Sequence, residues 1–386
     1  MIQKAYDIVI IGGGLQGLSL AYNLARKHCN RIAVFDKGYP GCGASGRNGE
    51  MIRSAFGSEE WIRFFDASLK LWEHISEELN YNVMFTHCGY FVLASTEKEM
   101  EGCRVNFTLQ KRFGLNTTLL EKEDVEKLIP ALNKDMVAGG ILQTDGGFAR
   151  HDAVVWAYLN AVRRLKVDLF YFTEVTSIGT SKGKICNVNT DKGIFPTKIV
   201  VNAAGGHSKR IAAMVGVSLH SQPYKLEILA TEPLKPFLRQ NLASLNTLSY
   251  MHQTTRGEFV GGTELAKMTP STSIRSSLLM MEEMATKFVR LFPGLAKVKV
   301  MRQWAGLIDM APDASPVVGP IPELEGFILD CGWSYGFVGA PASGRFLAEY
   351  IMTGEMPCEL EPFTPERFKT GKMIIDHSLV VEQQDS

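Results

Sequence analysis

The residues best suited to chemistry begin with Gly12, Gly14, Gly17 and Asp36. Gly12 permits a tight turn, Gly14 lets the backbone approach a pyrophosphate, and Gly17 lets the following helix pack close to its strand. The free N–H groups at that helix start then face phosphate charge. Asp36, about 20 residues beyond the glycines, stands where an acid accepts hydrogen bonds from a ribose 2′-hydroxyl and repels a 2′-phosphate. The chemistry is the binding of an adenine dinucleotide, with NADP disfavoured. The motif alone does not choose between NAD and FAD.

Arg53 lies just beyond the glycine-rich loop from Gly38 to Gly49, and a guanidinium holds a carboxylate through two parallel hydrogen bonds. A surface arginine reads the same way locally. His151 and Asp152 follow Arg150 at a helix start, where Asp152 suits the positive end of the dipole. His87, His207 and His252 lack a pattern that marks a base, and Asp309 and Asp313 read as loop or capping acids. No spacing suggests a metal site or a nucleophile triad.

The elements that must position these residues follow from the hydrophobic pattern. Strand, glycine turn, helix and strand run from Asp7 to Asp36, and Ser58 to Leu79 shows apolar and aromatic residues at helical spacing. Strand patterns appear at Val83 to Thr86 and Gly89 to Ala94, a helix at Ala153 to Leu165, and strands at Val167 to Phe172 and Lys198 to Gly205. A helix is predicted over Leu278 to Leu291, a strand over Gly326 to Trp333, a glycine-rich turn over Gly332 to Gly344, and a helix over Arg345 to Thr353. Glycine turns at Gly12, Ser45, Gly205 and Gly332 are far apart in sequence and suit one long ligand, which favours FAD.

The expected fold is therefore α/β. A Rossmann-like FAD-binding domain is assigned to 1–84, 140–222 and 301–386, and a mixed-sheet substrate domain to 85–139 and 223–300.

Composition narrows the setting. With 386 residues, 45% hydrophobic and 21% charged, the chain can bury a core large enough for two domains. Lys plus Arg and Asp plus Glu are equal at 41 each, so no global field favours nucleic acid or an anionic membrane. Seven scattered cysteines read as free thiols in a reducing compartment. No signal peptide and no apolar run of about 20 residues is evident, so a soluble cytoplasmic protein is expected.

The fingerprint, Ala44-Ser45-Gly46-Arg47-Asn48-Gly49, Val201-Asn202-Ala203-Ala204-Gly205 and Gly332-Trp333-Ser334-Tyr335-Gly336-Phe337 resemble the glycine oxidase and D-amino-acid oxidase flavoprotein superfamily. More narrowly, Met51 to Ser54, Ala149 to Val154, Arg302 to Gly306, Met310 to Asp313 and Phe368 to Lys372 resemble the beta subunit of heterotetrameric sarcosine oxidase. The resemblance implies FAD contacts at Gly12, Gly14, Gly17, Asp36, Ser45, Arg47, Asn48, Gly205 and Gly336. It implies that Arg53 binds a substrate carboxylate, and that His151 carries covalent FMN with Arg150 near the phosphate. Partner subunits and oxidation of a small amino acid or secondary amine are implied as well. Val338 departs from the lysine of many sarcosine oxidases, which puts sarcosine itself and direct use of oxygen in question. A non-catalytic electron-relay subunit is the rival expectation, and a nicotinamide dehydrogenase a further one.

Overall fold

The computed structural model describes residues 4–263 and 269–377. Residues 1–3 and 378–386 of the expected FAD-binding portion, and 264–268 of the expected substrate portion, lie outside them.

Ile8–Ile11 and Ile32–Phe35 are apolar at every position, the pattern of strands covered on both faces. They lie centrally in a six-stranded sheet of order Val317–Pro320, Phe327–Cys331, Ile199–Asn202, Ile8–Ile11, Ile32–Phe35 and Asp168–Phe170. The first pairing is antiparallel and the rest are parallel. One face carries Ile8, Ile10, Ile32 and Val34 into a core shared with helices Leu15–Arg26, Glu59–Glu78, His151–Arg164 and Gly336–Thr353. The other presents Val9, Ile11 and Phe35 to the three-stranded meander Val175–Ser181, Lys184–Thr190 and Gly193–Pro196. This is the expected α/β architecture.

A second sheet has eight strands, ordered Val300–Met310, Gln222–Pro233, Glu258–Thr263, Ser249–Gln253, Asn241–Ser244, Tyr90–Ala94, Gly139–Gln143 and Thr117–Glu121. It is mixed, because Asn241–Ser244 and Tyr90–Ala94 run parallel within an otherwise antiparallel sheet. Helix Leu278–Leu291 covers it with Met280, Met284, Phe288 and Leu291. A small sheet of Met51–Ile52, Gly147–Phe148 and Thr86–His87 completes the fold.

The structure differs from the sequence pattern in several places, and the strand expected over Val83 to Thr86 begins only at Thr86. Gly139–Gln143 and Val300–Met310 belong to the eight-stranded sheet, although the sequence pattern puts residues from 140 and from 301 on the FAD-binding side. Alternation reveals a strand without revealing the strand it pairs with. The helix expected from Arg345 to Thr353 begins already at Gly336. Its glycines read as a turn, yet they let two helices touch: a Cβ at Gly344 would stand 2.2 Å from Ser19 Oγ.

Candidate active site

The glycine turn is built by contact. Gly12 has φ +118°, and a Cβ there would fall 2.2 Å from the Ala203 carbonyl oxygen at the end of the neighbouring strand. At Gly17 it would fall 2.0 Å from the Gly12 carbonyl oxygen, so the helix can pack this closely only without a side chain. Asp36 ties the turn to the next loop, accepting from Gly13 N–H and from Gly38 N–H, each at 2.8 Å. Ser45 Oγ accepts the Leu15 N–H at 2.9 Å at the helix start. Asn48 donates to the Ser45 carbonyl at 2.8 Å and accepts the Glu50 N–H at 2.8 Å. Arg47 Nε donates to the Cys42 carbonyl at 2.9 Å, and its Nη1 reaches the Ala305 carbonyl at 3.3 Å.

A cavity of about 1310 Å³ runs past these groups. Gly12, Gly14, Asp36, Ser45, Arg47, Asn48, Gly205 and Gly336 all line it, so turns distant in sequence do converge. Gly17 supports the turn from behind the lining. The cradle fits an adenine dinucleotide: a glycine turn that no Cβ could share, N–H groups at a helix start, and an acid beside them.

Arg53 opens on the same cavity and is 7% exposed. Its guanidinium carbon sits 4.1 Å from the Phe56 ring centre, 4.7 Å from Tyr90 and 5.2 Å from Tyr335, and Nη1 donates to the Ala55 carbonyl at 3.2 Å. Burial opposes the charge on this guanidinium, while Tyr90, Tyr335 and the buried Asp376 carboxylate favour it, and a carboxylate bound in the cavity would balance it further. Val338 also lines the cavity, with its own carbonyl taken by Trp72 Nε1 at 2.9 Å, and contributes an apolar surface.

Two acids that sequence reasoning undervalued lie in this wall. Asp309 is not in a loop but in strand Val300–Met310, buried, accepting the Gly332 N–H at 2.8 Å. Asp330 is the penultimate residue of strand Phe327–Cys331, and its Oδ1 accepts from Trp333 Nε1 at 2.8 Å and Ser343 Oγ at 3.0 Å. Burial pushes both carboxyls up to about 6. Asp330 has a local signal, an acid set against the Trp333 turn, whereas Asp309 has none.

His151 and Arg150 face a different cavity of about 560 Å³, within the roughly 300–1,000 Å³ typical of cofactor sites. Arg47, Arg150, Arg256 and Arg302 line it, and Trp304 forms part of its wall. The loop bearing Arg47, Asn48 and Glu50 lines both cavities and separates them. Glu50 Oε1 lies 2.6 Å from His151 Nδ1, and Oε2 lies 3.7 Å from His252 Nε2. Burial opposes the charge on Glu50, but the two histidines beside it outweigh burial and hold the carboxyl well below the usual carboxylate range. Glu50 was missed, and His252 read as a histidine without a base pattern, because their contact joins a glycine loop to strand Ser249–Gln253, 202 positions later. Among the other histidines, His207 Nε2 lies 3.1 Å from Lys37 Nζ, and His87 stands at the exposed end of Thr86–His87.

Among the described residues no helix is long and apolar enough to cross a membrane.

Residues 7–350 match the family described as FAD dependent oxidoreductase. The chain is 35% identical over 380 residues to sarcosine oxidase subunit beta of Rhodobacter capsulatus, covering 96% of this chain and 91% of that protein. It is 27% identical to glycine oxidase of Geobacillus kaustophilus, over 94% of this chain and 97% of that one. Among solved structures, L-proline dehydrogenase from P. horikoshii superposes with a TM-score of 0.90 at 30% identity, covering 95% of this chain and 99% of that one. With the glycine cradle, Asp36 and the long cavity already in place, these likenesses show that the chain belongs to the FAD-dependent oxidoreductase family, as an amine or amino-acid oxidoreductase whose cofactor is FAD.

Proposed function

We propose that the chain is a catalytic subunit that oxidises the C–N bond of a small amino acid or secondary amine, of sarcosine, proline or opine type, to an imine. The observation that carries this reading is Arg53, a buried guanidinium held among three aromatic rings in the wall of the FAD cavity. FAD, when bound, supplies the two-electron acceptor. Arg53 offers parallel N–H groups to the substrate carboxylate and so orients the adjoining C–N bond. Phe56, Tyr90 and Tyr335 keep water from that pair, which strengthens it. A substrate held as the neutral amine needs little acid–base help from the protein. The names of the similar proteins support this class, since sarcosine, glycine and L-proline each carry a carboxylate one carbon from the amine.

Val338 brings no charge, so carboxylate recognition falls to Arg53. Proline and opine-type substrates suit that wall at least as well as sarcosine does. Anaerobic mixing with N-methyl amino acids, proline and opines tests the reading. Loss of the oxidised flavin absorbance with one of them supports catalysis. If none bleaches it, with co-purifying partners present, the chain is an electron-relay subunit.

A second flavin is part of the proposal, supported by the cavity at His151. His151 would hold FMN covalently, and Arg150, Arg256 and Arg302 would offset its phosphate, giving electrons a way out of the FAD site. The exposed apolar side chains Tyr39, Trp156 and Met301 at its rim favour a partner subunit as its cover. Flavin that remains on the acid-precipitated chain, and is lost in His151→Ala, is the expected result. Fully extractable flavin would reject the covalent bond.

A further inference from the structure

Glu50 occupies a costly position. Its φ is +65°, a left-handed conformation disfavoured for a residue with a Cβ, and it is 6% exposed. That backbone turns the carboxylate between two histidines. Oε1 accepts the His151 backbone N–H at 3.1 Å, lies 2.6 Å from its Nδ1 in a close contact that lacks hydrogen-bond alignment, and lies 3.6 Å from Arg150 Nε. Oε2 faces Nε2 of His252, which is 1% exposed, packs its ring against Phe148 at 4.6 Å and a tilt of 31°, and has neither ring nitrogen hydrogen-bonded among the described residues.

A carboxylate needed only to cap helix His151–Arg164 would be served by the His151 N–H. It would not require a second histidine buried with both nitrogens unpaired. The contact with Nδ1 has a chemical consequence instead. A neutral imidazole carries one N–H, and a carboxylate beside Nδ1 keeps the hydrogen there, leaving the lone pair on Nε2.

We propose that Glu50, backed by His252, is the positioning residue that makes His151 Nε2 the nucleophile for covalent flavin attachment, an inference that rests on the second-flavin reading above. In that step a bond forms between Nε2 and the methyl carbon on the flavin's dimethylbenzene ring, and one C–H bond of that methyl breaks. The methyl proton and the His151 Nδ1 proton leave, the latter through Glu50. The two electrons enter the flavin ring and pass on to dioxygen, which takes up two protons and becomes hydrogen peroxide. Positive charge grows on the imidazole as the new bond forms, and the Glu50 carboxylate stabilises it at contact distance.

The test uses the full chain with its co-purifying partners, produced under riboflavin limitation and then given FMN in air. Acid-stable flavin is followed by the mass of the denatured chain, and acid-extractable FAD reports folding. The wild type gains the mass of FMN, Glu50→Gln gains it roughly 100-fold more slowly, and His252→Gln shows a smaller loss, with FAD retained throughout. Nitrogen-15 NMR of the FMN-free protein separates positioning from mere structure: His151 is the Nδ1–H tautomer in the wild type and a mixture in Glu50→Gln. Attachment at the wild-type rate in Glu50→Gln, or in His252→Gln should Glu50→Gln fail to retain FAD, overturns the proposal and leaves the second flavin standing. A wild type that takes up no acid-stable flavin overturns both.

Discussion

Arg367 and Asp313 form a buried bidentate pair, with Nε 2.8 Å from Oδ2 and Nη2 3.0 Å from Oδ1. Arg367 also donates to the carbonyls of Phe363 and Ser315, while the Ser315 hydroxyl accepts the Trp61 indole N–H. Helix Glu366–Thr370 is thus fastened to the loop that follows strand Val300–Met310 at the edge of the FAD cavity. Removing one partner strands a buried charge. Arg367→Ala should cost about 3–5 kcal/mol in urea denaturation, and pairing Arg367→Met with Asp313→Leu should recover most of it. A loss below about 1 kcal/mol would mean that the pair behaves like an exposed one.

Arg53→Lys keeps a charge but loses the planar fork and its stacking on Phe56. With the bleaching substrate, kcat/KM should fall on the order of 100-fold, the equivalent of about 3 kcal/mol for a desolvated carboxylate contact. FAD content should stay unchanged. An unaltered kcat/KM would remove Arg53 from substrate binding.

Gly12→Ala places a methyl group on the Ala203 carbonyl in a backbone conformation that alanine disfavours. The turn must open, and the purified variant should retain less than about a tenth of the FAD. Cofactor extraction and absorbance decide it. Full FAD occupancy would contradict the close contact.

Asp330 gives a pH signature. Its folded pKa is raised from 3.8 to about 6, with burial the leading cause, so the native state holds its proton longer than the unfolded chain does. The stabilisation is complete below about pH 4 and is lost as pH rises through about 6. Asp330→Asn should remove that fall. The stability difference between variant and wild type should therefore shift in the variant's favour, by up to about 3 kcal/mol between pH 4 and pH 6.5, and stay level above. Denaturant titrations with excess FAD measure it. A difference that does not change with pH would show that Asp330 titrates normally. Asp309 shifts in the same direction and retains its own share of the slope in this variant.

Much of the nucleotide half was legible because its signals are local. Gly12, Gly14, Gly17 and Asp36 sit within one strand-helix-strand unit, where spacing along the chain sets spacing in three dimensions. Helix Leu278–Leu291 was legible for a similar reason, since its periodic apolar face is the face that packs. Glycines 336 to 344 were misleading, because a glycine chosen for helix contact looks the same in a sequence as one chosen for a turn.

By itself the sequence determined that this chain carries a dinucleotide cradle, that its glycine turns suit FAD, and that Arg53 follows a ligand-binding loop. Only the tertiary structure decided that aromatic rings from three segments enclose Arg53, that Asp309 and Asp330 are buried in the cavity wall, and that Glu50 joins His151 to His252. The physical reason is range. Turn geometry and helical periodicity are properties of neighbouring residues, whereas burial and ion pairing depend on which strands and loops meet, and here the meeting partners lie 101 to 202 positions from Glu50 along the chain.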